Sequence, residues 1–248
     1  MKKINLSPSF LTKVYEKGYD YAVGEKLGLF PKKDTAAMSD GRLIHSLISE
    51  RLGGEKAKIA VSTFDSFRTK EAKEWRDSQP DDVIIIKPEK LEEVNKIVDR
   101  VLNHHRFKPF LEVPCATELT VEKEINGHNI KGILDVVSTD NEAVNIIDWK
   151  FVSSIIFDSF DKKALYMHYD LQAAVYDFLK NATNVYFGVI ENEEPHRIKL
   201  YHCDSTFLES GANKFNKAFK ILDEAKGREP NFDINDIGEL MSWENYAG

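Results

Sequence analysis

Apolar residues recur at helical spacing along the first hundred positions, and past Pro114 they recur at strand spacing. Ser7-Pro8 is an N-cap followed by proline at the first helical position, and it opens a helix through Leu11, Val14 and Tyr15 towards Tyr19. A second helix is predicted from about Ser39 to Leu52, where Leu43, Ile44, Leu47, Ile48 and Leu52 make one apolar stripe and Gly53-Gly54 ends it. Pro88 starts a third, with Leu91, Val94, Ile97, Val98 and Val101 on one face. Then the period changes: Ala116 to Ile125 alternates, Asn126-Gly127 is a hairpin turn, and His128 to Ser138 runs back. A turn at Thr139 to Glu142 leads into Val144 to Val152, completing a three-stranded antiparallel meander. A helix from about Asp161 to Leu179, strands at Asn184 to Ile190 and His196 to Cys203, and a final helix around Ser205 to Ala225 follow. This order predicts an α/β fold, a central mixed β-sheet flanked by helices.

No internal repeat, low-complexity tract or Ser/Gly linker interrupts the pattern, and the longest candidate break is the polar stretch Gly53 to Ser62. Residues 1–248 therefore read as one domain, with a mainly helical part (1–113), a sheet with its helix (114–204) and a C-terminal helix and tail (205–248). The composition agrees: 42% hydrophobic and 30% charged over 248 residues, with 8 Pro and 13 Gly, are globular proportions. The net charge of −7 excludes binding of nucleic acid through an overall basic surface, so any such contact is local. Apolar runs such as Val83 to Ile86 fall far short of the roughly 20 residues that cross a bilayer. Met1-Lys2-Lys3 is followed by Asn5, Ser7 and Pro8 rather than an apolar signal core, so a cytoplasmic protein without membrane contact is expected. Two cysteines, Cys115 and Cys203, build neither a disulfide framework nor a four-thiolate metal site, and both are expected to be buried and reduced.

The chemistry concentrates in Gly132-Ile133-Leu134-Asp135 and, beyond a short loop, Ile146-Ile147-Asp148-Trp149-Lys150. Asp135 is expected near the end of one strand and Asp148 within its antiparallel neighbour, so the hairpin brings the two carboxylates together. Asp148 and Lys150 are two apart and share a strand face. Two carboxylates with one ammonium suit Mg²⁺ or Mn²⁺, and Lys150 can orient the attacking water or stabilise charge on a phosphate. The plain alternative is an exposed strand ion pair, but charges embedded in Asn145-Ile146-Ile147 and Trp149 need a partner or a metal.

Asp135, Asp148-x-Lys150 after a hairpin, and a helix with Gln172-x-x-x-Tyr176 together resemble the PD-(D/E)xK nuclease superfamily. Gly41-Arg42-Leu43-Ile44-His45 is similar to the helix that supplies an extra metal-ligating histidine in the RecE, RecB and AddAB branches. Phe67 to Lys70 through Trp75, Glu118-Leu119-Thr120, Tyr169 to Ala174, and Glu191 to Pro195 resemble the nuclease domain of exodeoxyribonuclease VIII (RecE)-like enzymes and their phage relatives. The resemblance runs from about Leu6 to Cys203. It implies a restriction-endonuclease-like core with an N-terminal helical extension, metal ligation by His45, Asp135 and Asp148 with Glu118 near the metals, and a catalytic Lys150. Gln172 and Tyr176 would sit beside the active centre, in contact with DNA or fixing the site. Each has a structural alternative: a helix-flank histidine for His45, a surface glutamate for Glu118, helix packing for Gln172 and Tyr176. The chain departs from the pattern with Leu134 where proline is usual, with aspartate at 148 where glutamate is usual, and with Ile133 where relatives often carry arginine. Either Lys131 supplies that phosphate contact or the contact is missing, and Arg42, Arg68, Lys70, Lys73 and Arg76 are further candidates whose plain alternative is a solvated helix face.

The resulting expectation is a two-metal DNA exonuclease, acting 5′-to-3′ on duplex ends and feeding a single-strand annealing partner of the RecT type, as a homo-oligomer in a bacterial or phage-infected cell. No Gly-x-x-x-x-Gly-Lys-Ser/Thr motif is present, so digestion would not use ATP through a P-loop of this chain. A nuclease cutting branched or single-stranded DNA internally is the second reading, and a catalytically idle DNA- or protein-binding module the third.

Overall fold

The computed structural model describes residues 5–30, 36–155 and 160–232, so Met1-Lys2-Lys3 and the tail beyond 232 lie outside the described residues. Ser7 caps helix α1 (Pro8–Lys26) by accepting from the Phe10 N–H. Gly18, at φ 83°, kinks this helix in a left-handed conformation that only glycine adopts cheaply. Helix α2 (Ala36–Arg51) follows, then strand β1 (Ile59–Val61), helix α3 (Lys70–Asp77) and strand β2 (Ile84–Ile86). β1 and β2 form a small parallel sheet. The polar stretch from Gly53 is thus not a linker: Ala57 is buried in the core, and its N–H donates to Glu50. Strands of three residues are too short for an alternation to register in sequence, which is why none is expected there.

Helices α4 (Pro88–Leu102) and α5 (Lys108–Leu111) lead to the main sheet, built from β3 (Cys115–Ile125), β4 (His128–Asp140), β5 (Ala143–Val152), β6 (Asn184–Glu191) and β7 (Ile198–His202). The five strands lie in sequence order. Within this sheet, among the described residues, only β5 and β6 pair in parallel, joined over one face by α6 (Phe160–Tyr166) and α7 (Tyr169–Lys180); α8 (Ser205–Glu224) packs against α7 and α1. The fold is therefore a mixed sheet flanked by helices, as the pattern predicts.

One helix was expected across Asp161–Leu179, and two are present. His168 takes a left-handed conformation, φ 54°, between α6 and α7, and its ring lies 3.0 Å from Lys214 Nζ of α8. No glycine or proline marks this break, and apolar spacing continues across it. Of the two free cysteines, Cys203 is buried but Cys115 is only half-buried. No helix among the described residues is long and apolar enough to cross a membrane.

Burial separates the sheet's two faces. Ile147 and Trp149 of β5 pack with Leu43, Ile44 and Ile48 of α2 and Val98 of α4, whereas Ile146 packs with Val185, Phe187 and Ala173 on the α7 side. Asp148 and Lys150, in phase with Ile146, therefore face α7. Strand β4 interrupts its own alternation. Thr117 pairs with Val136 and Leu119 with Leu134, leaving Glu118 and Asp135 unpaired between them, with Glu118 at φ 51°. Leu134 consequently packs on the α7 side and Val136 on the α2 side. At this same point β4 leaves β5, since only Val136 to Asp140 pair with that strand.

Candidate active site

The split between β4 and β5 is where the side chains converge. Asp135 lies in mid-strand rather than near a strand end, and its freedom comes from the interrupted pairing. Its Oδ2 accepts the Trp149 N–H at 2.8 Å, so β5 main chain reaches across the split to fix the carboxylate. Its Oδ1 meets His45 Nε2 at 3.0 Å, and the other ring nitrogen, Nδ1, lies 2.8 Å from Glu118 Oε1. His45 comes from α2 on one sheet face, Glu118 from the defect in β3.

Burial resists a charge on His45, but hydrogen bonds to Asp135 and Glu118 outweigh it and raise the imidazole to about 10. A pocket that holds a proton this firmly is one that demands positive charge. One donor atom each from His45, Glu118 and Asp135 lie within 4.8 Å of one another, an imidazole and two carboxylates of the kind that ligate Mg²⁺ or Mn²⁺. The residues fit a divalent cation, which would take the proton's place.

Behind this cluster, on the α7 side, runs a second chain of contacts. Lys150 Nζ faces Asp148 Oδ2 and donates to Gln172 Oε1 at 2.7 Å. Gln172 Nε2 in turn lies at 3.0 Å from Asp148 Oδ1 and 2.7 Å from the Tyr176 hydroxyl. One turn of α7 thus supplies Gln172 and Tyr176 to one side of the ammonium. The rings of Tyr169 and Phe187 lie 4.4 and 5.4 Å from Lys150 Nζ. Burial pushes the Asp148 carboxyl up to about 6, against the pull of Lys150. Burial works against the Lys150 ammonium, and Asp148 overcomes it, leaving the amine raised and charged. Burial likewise lifts the Tyr176 phenol well above its usual range.

Sequence and structure agree unevenly. His45, Glu118 and Asp135 meet, whereas Asp148 turns towards Lys150 and Gln172 and stands outside that three-residue cluster. Arg42 lines the same groove as His45 and Glu118, a cleft of about 870 Å³ lined also by Lys58, Asp82 and Ile84. Lys131 is not there. It pairs with Glu122 at 3.2 Å, and it is the half-exposed Ile133, two residues on, that lines the groove. Among the cations in and just before α3, Lys70 lies 3.7 Å from Glu74 and Arg76 2.7 Å from Asp77, and neither these nor Arg68 and Lys73 line the groove. Tyr169 and Phe187 were not expected as partners of Lys150. Tyr169, three residues before Gln172 on α7, was legible from helical spacing; Phe187, from β6, was not.

The comparisons decide the family. The sequence pattern of the PDDEXK-like domain of unknown function, DUF3799, matches residues 11–231, a span that contains every candidate site residue. The chain belongs to this family. No curated protein matches it in sequence. Among solved structures, a candidate exonuclease from Eubacterium rectale is similar with a TM-score of 0.59 at 14% identity, over 89% of this chain and 82% of that one. That likeness concerns the fold. A phage-related exonuclease from Haemophilus somnus 129PT (TM-score 0.39, 15% identity, 90% and 95% covered) and an alkaline exonuclease from Laribacter hongkongensis (0.34, 11%, 89% of each) are similar more distantly and carry no argument. The PD-(D/E)xK resemblance read from Asp135, Asp148 and Lys150 thus agrees with the DUF3799 assignment.

Proposed function

We propose that this DUF3799 protein is a divalent-metal-dependent deoxyribonuclease that removes nucleotides from DNA ends. The observation that supports it best is the convergence at the β4–β5 split: a His45–Glu118–Asp135 cluster on one side of the strand pair and a buried Lys150 ammonium on the other. In this reading His45, Glu118 and Asp135 hold Mg²⁺ or Mn²⁺, and Asp148, expected from the resemblance as a further ligand, would have to turn from Lys150 and Gln172 to join them. When bound, the cation supplies Lewis acidity and charge against the phosphodiester.

The chain's own residues do the rest. Lys150 offers its ammonium to a phosphate oxygen, where negative charge grows as water adds to phosphorus and the P–O bond to the leaving sugar breaks. Gln172 and Asp148 fix that ammonium, so no reorganisation accompanies the reaction. Tyr176 orients the Gln172 amide. Arg42 at the groove's edge meets the substrate backbone. The whole chain, 1–248, acts in this reading as one nuclease domain. Polarity of 5′-to-3′, a role in recombination with an annealing partner of the RecT type, a homo-oligomer, phage origin and a cytoplasmic location are the finer parts of the proposal and rest on the sequence resemblance.

Linear duplex labelled at either end and closed circular DNA, each incubated with Mg²⁺, with Mn²⁺ and with chelator, test it alongside Lys150→Ala. Metal-dependent loss of the linear substrate alone is the expected result, and the label released first gives the polarity. Cleavage of the circle replaces the exonuclease with an endonuclease, and binding without cleavage replaces both with a binding module.

A further inference from the structure

A second surface of the molecule is built for an anion. The loop after α4 and the outer strand β7 enclose two adjoining depressions that share His104, His105, Ile198 and Lys199. Between them they gather Arg100, Arg106, Lys199, the two histidines and Tyr201, and no carboxylate lines either one. In a chain of net charge −7 this is a local reversal of sign. The cations are also uncommitted. Arg100 donates to the Pro195 carbonyl, which leaves its charge whole, and no carboxylate within ion-pair distance of Arg100, Arg106 or Lys199 is found among the described residues. Arg197, at the rim, is different: Glu191 holds it at 3.0 Å. The local field is felt by the neighbouring imidazole, since burial, followed by His105, Arg106 and Arg100, lowers the affinity of His104 for a proton.

Aromatic faces alternate with these cations. The exposed His105 ring stacks at 4.7 Å on His104, which rests on Phe107, and the half-buried Tyr201 ring, packed on Phe160 at 4.7 Å, lies along the same edge. β7 is the edge of the sheet, so one row of its main-chain groups is also unpaired there. The edge is close to the chemistry: Lys199 pairs with Val189, and Val189 with Lys150, which puts Lys199 level with the candidate catalytic lysine and two strands away, roughly 10 Å.

We infer that the surface formed by Arg100, His104, His105, Arg106, Lys199 and Tyr201 binds single-stranded DNA, its phosphates on the cations and its bases on the rings. The inference rests on the nuclease reading for the choice of nucleic acid. A single strand fits better than a duplex because stacking platforms interleaved with cations engage bases that a duplex keeps paired. The surface would hold the strand that is not being degraded, or one leaving the site, and so keep the enzyme on its substrate.

The test measures binding of a fluorescent oligothymidine to the full chain in chelator, where turnover does not interfere, as a function of salt. We expect Arg106→Gln with Lys199→Gln to weaken binding by about tenfold or more and to flatten the log–log salt slope by about 0.7 for each cation removed, while Lys220→Gln on α8 leaves both unchanged. Unchanged affinity and slope in the double variant overturn the inference, as does failure of the unmodified chain to bind at low salt. A duplex of equal length that competes better than the single strand overturns it in favour of duplex binding, and displacement by oligoglutamate at equal charge overturns it in favour of an acidic protein partner. Because no step requires hydrolysis, a chain that binds as expected but never cuts sinks the nuclease reading, whereas one that cuts normally with the edge neutralised and binds unchanged sinks only this one.

Discussion

Two aspartate–lysine pairs touch helix α7, and they are equally hidden: the side chains are 3% and 12% exposed in Asp148–Lys150 and 0% and 16% in Asp170–Lys214. Their hydrogen bonding differs. Asp170 Oδ1 accepts from the Leu171 N–H at 3.0 Å and from Lys214 at 2.9 Å, and its Oδ2 accepts from Ser210 at 2.7 Å besides lying 2.8 Å from Lys214. Every lone-pair direction that matters is filled. Asp148 has one such bond, from Gln172, while its Oδ2 faces the Lys150 ammonium without a well-directed hydrogen bond. A saturated buried carboxylate is a fastening. An unsaturated one beside a lysine keeps an acceptor for a further partner, which is what the proposed nuclease role needs, and the difference between them lies in the donors supplied, not in the depth of burial.

The surroundings reinforce the contrast. Asp170 sits where α8 crosses α7 so closely that a Cβ on Gly211 would overlap the Asp170 carbonyl, so the pair and the glycine fasten two helices at one point. Asp148 and Lys150 sit instead where β4 leaves β5, next to the Asp135 carboxylate that accepts the Trp149 N–H between them.

The largest expected effect breaks the pairs apart by function. Lys150→Ala should lower DNA hydrolysis by roughly 10³-fold, the cost of one well-placed charge in a transition state, while circular dichroism stays native. Substantial residual activity would remove Lys150 from the chemistry, and global unfolding would make it a fastening like Lys214. Asp170→Ala should do the reverse: a loss of about 3–5 kcal/mol in urea unfolding, since it strands the Lys214 ammonium, with hydrolysis per folded molecule retained. Little change in stability would show that the two pairs are not so different after all.

A smaller effect separates both from a third buried acid. Glu191 accepts from the Ile155 and Arg197 N–H groups at 2.6 and 3.1 Å and from the Arg197 guanidinium. Burial alone would raise this carboxyl, but these donors outweigh it and hold it below its usual range. Its folded-state proton affinity is therefore the weaker one, so the stability it contributes is fully present above the unfolded value of about 4.5 and is lost as the pH falls through the folded one. Glu191→Gln should cost about 1–3 kcal/mol at neutral pH, and the gap from the unaltered protein should close on acidification. A gap that widens below pH 4.5 would contradict the assignment. Smallest of all, Tyr169→Leu should reduce hydrolysis by about tenfold or less, because it removes one aromatic face from Lys150 and leaves Gln172 in place. No change would make that face packing only.

Much of this was legible in the chain. Leu43 to Leu52, Leu91 to Val101 and the alternation from Ala116 to Val152 fix helices and strands because burying one face imposes a period of 3.6 or 2 whatever the rest of the fold does. The spacing of Asp148 and Lys150 fixed their shared face for the same reason, and that of Gln172 and Tyr176 theirs. The break at His168 left no sequence mark, and the partners that surround it there, Tyr15, Glu16 and Lys214, all come from distant parts of the chain. The strands β1 and β2 exist only as partners of one another.

What the site needed beyond periodicity was decided in three dimensions. Local sequence set which side chains share a face, since that follows from the geometry of a single element. Only the packed structure decided that β4 should lose its pairing at Asp135, that His45 should reach Glu118 and Asp135 from the opposite face, and that Asp148 should turn to Lys150 and Gln172 instead of joining them. It likewise left Lys131 with Glu122 and put Ile133 in the groove. Those outcomes depend on which donors happen to lie within a few ångströms of a carboxylate, and distances between elements far apart in the chain are fixed by packing, which no short-range pattern encodes.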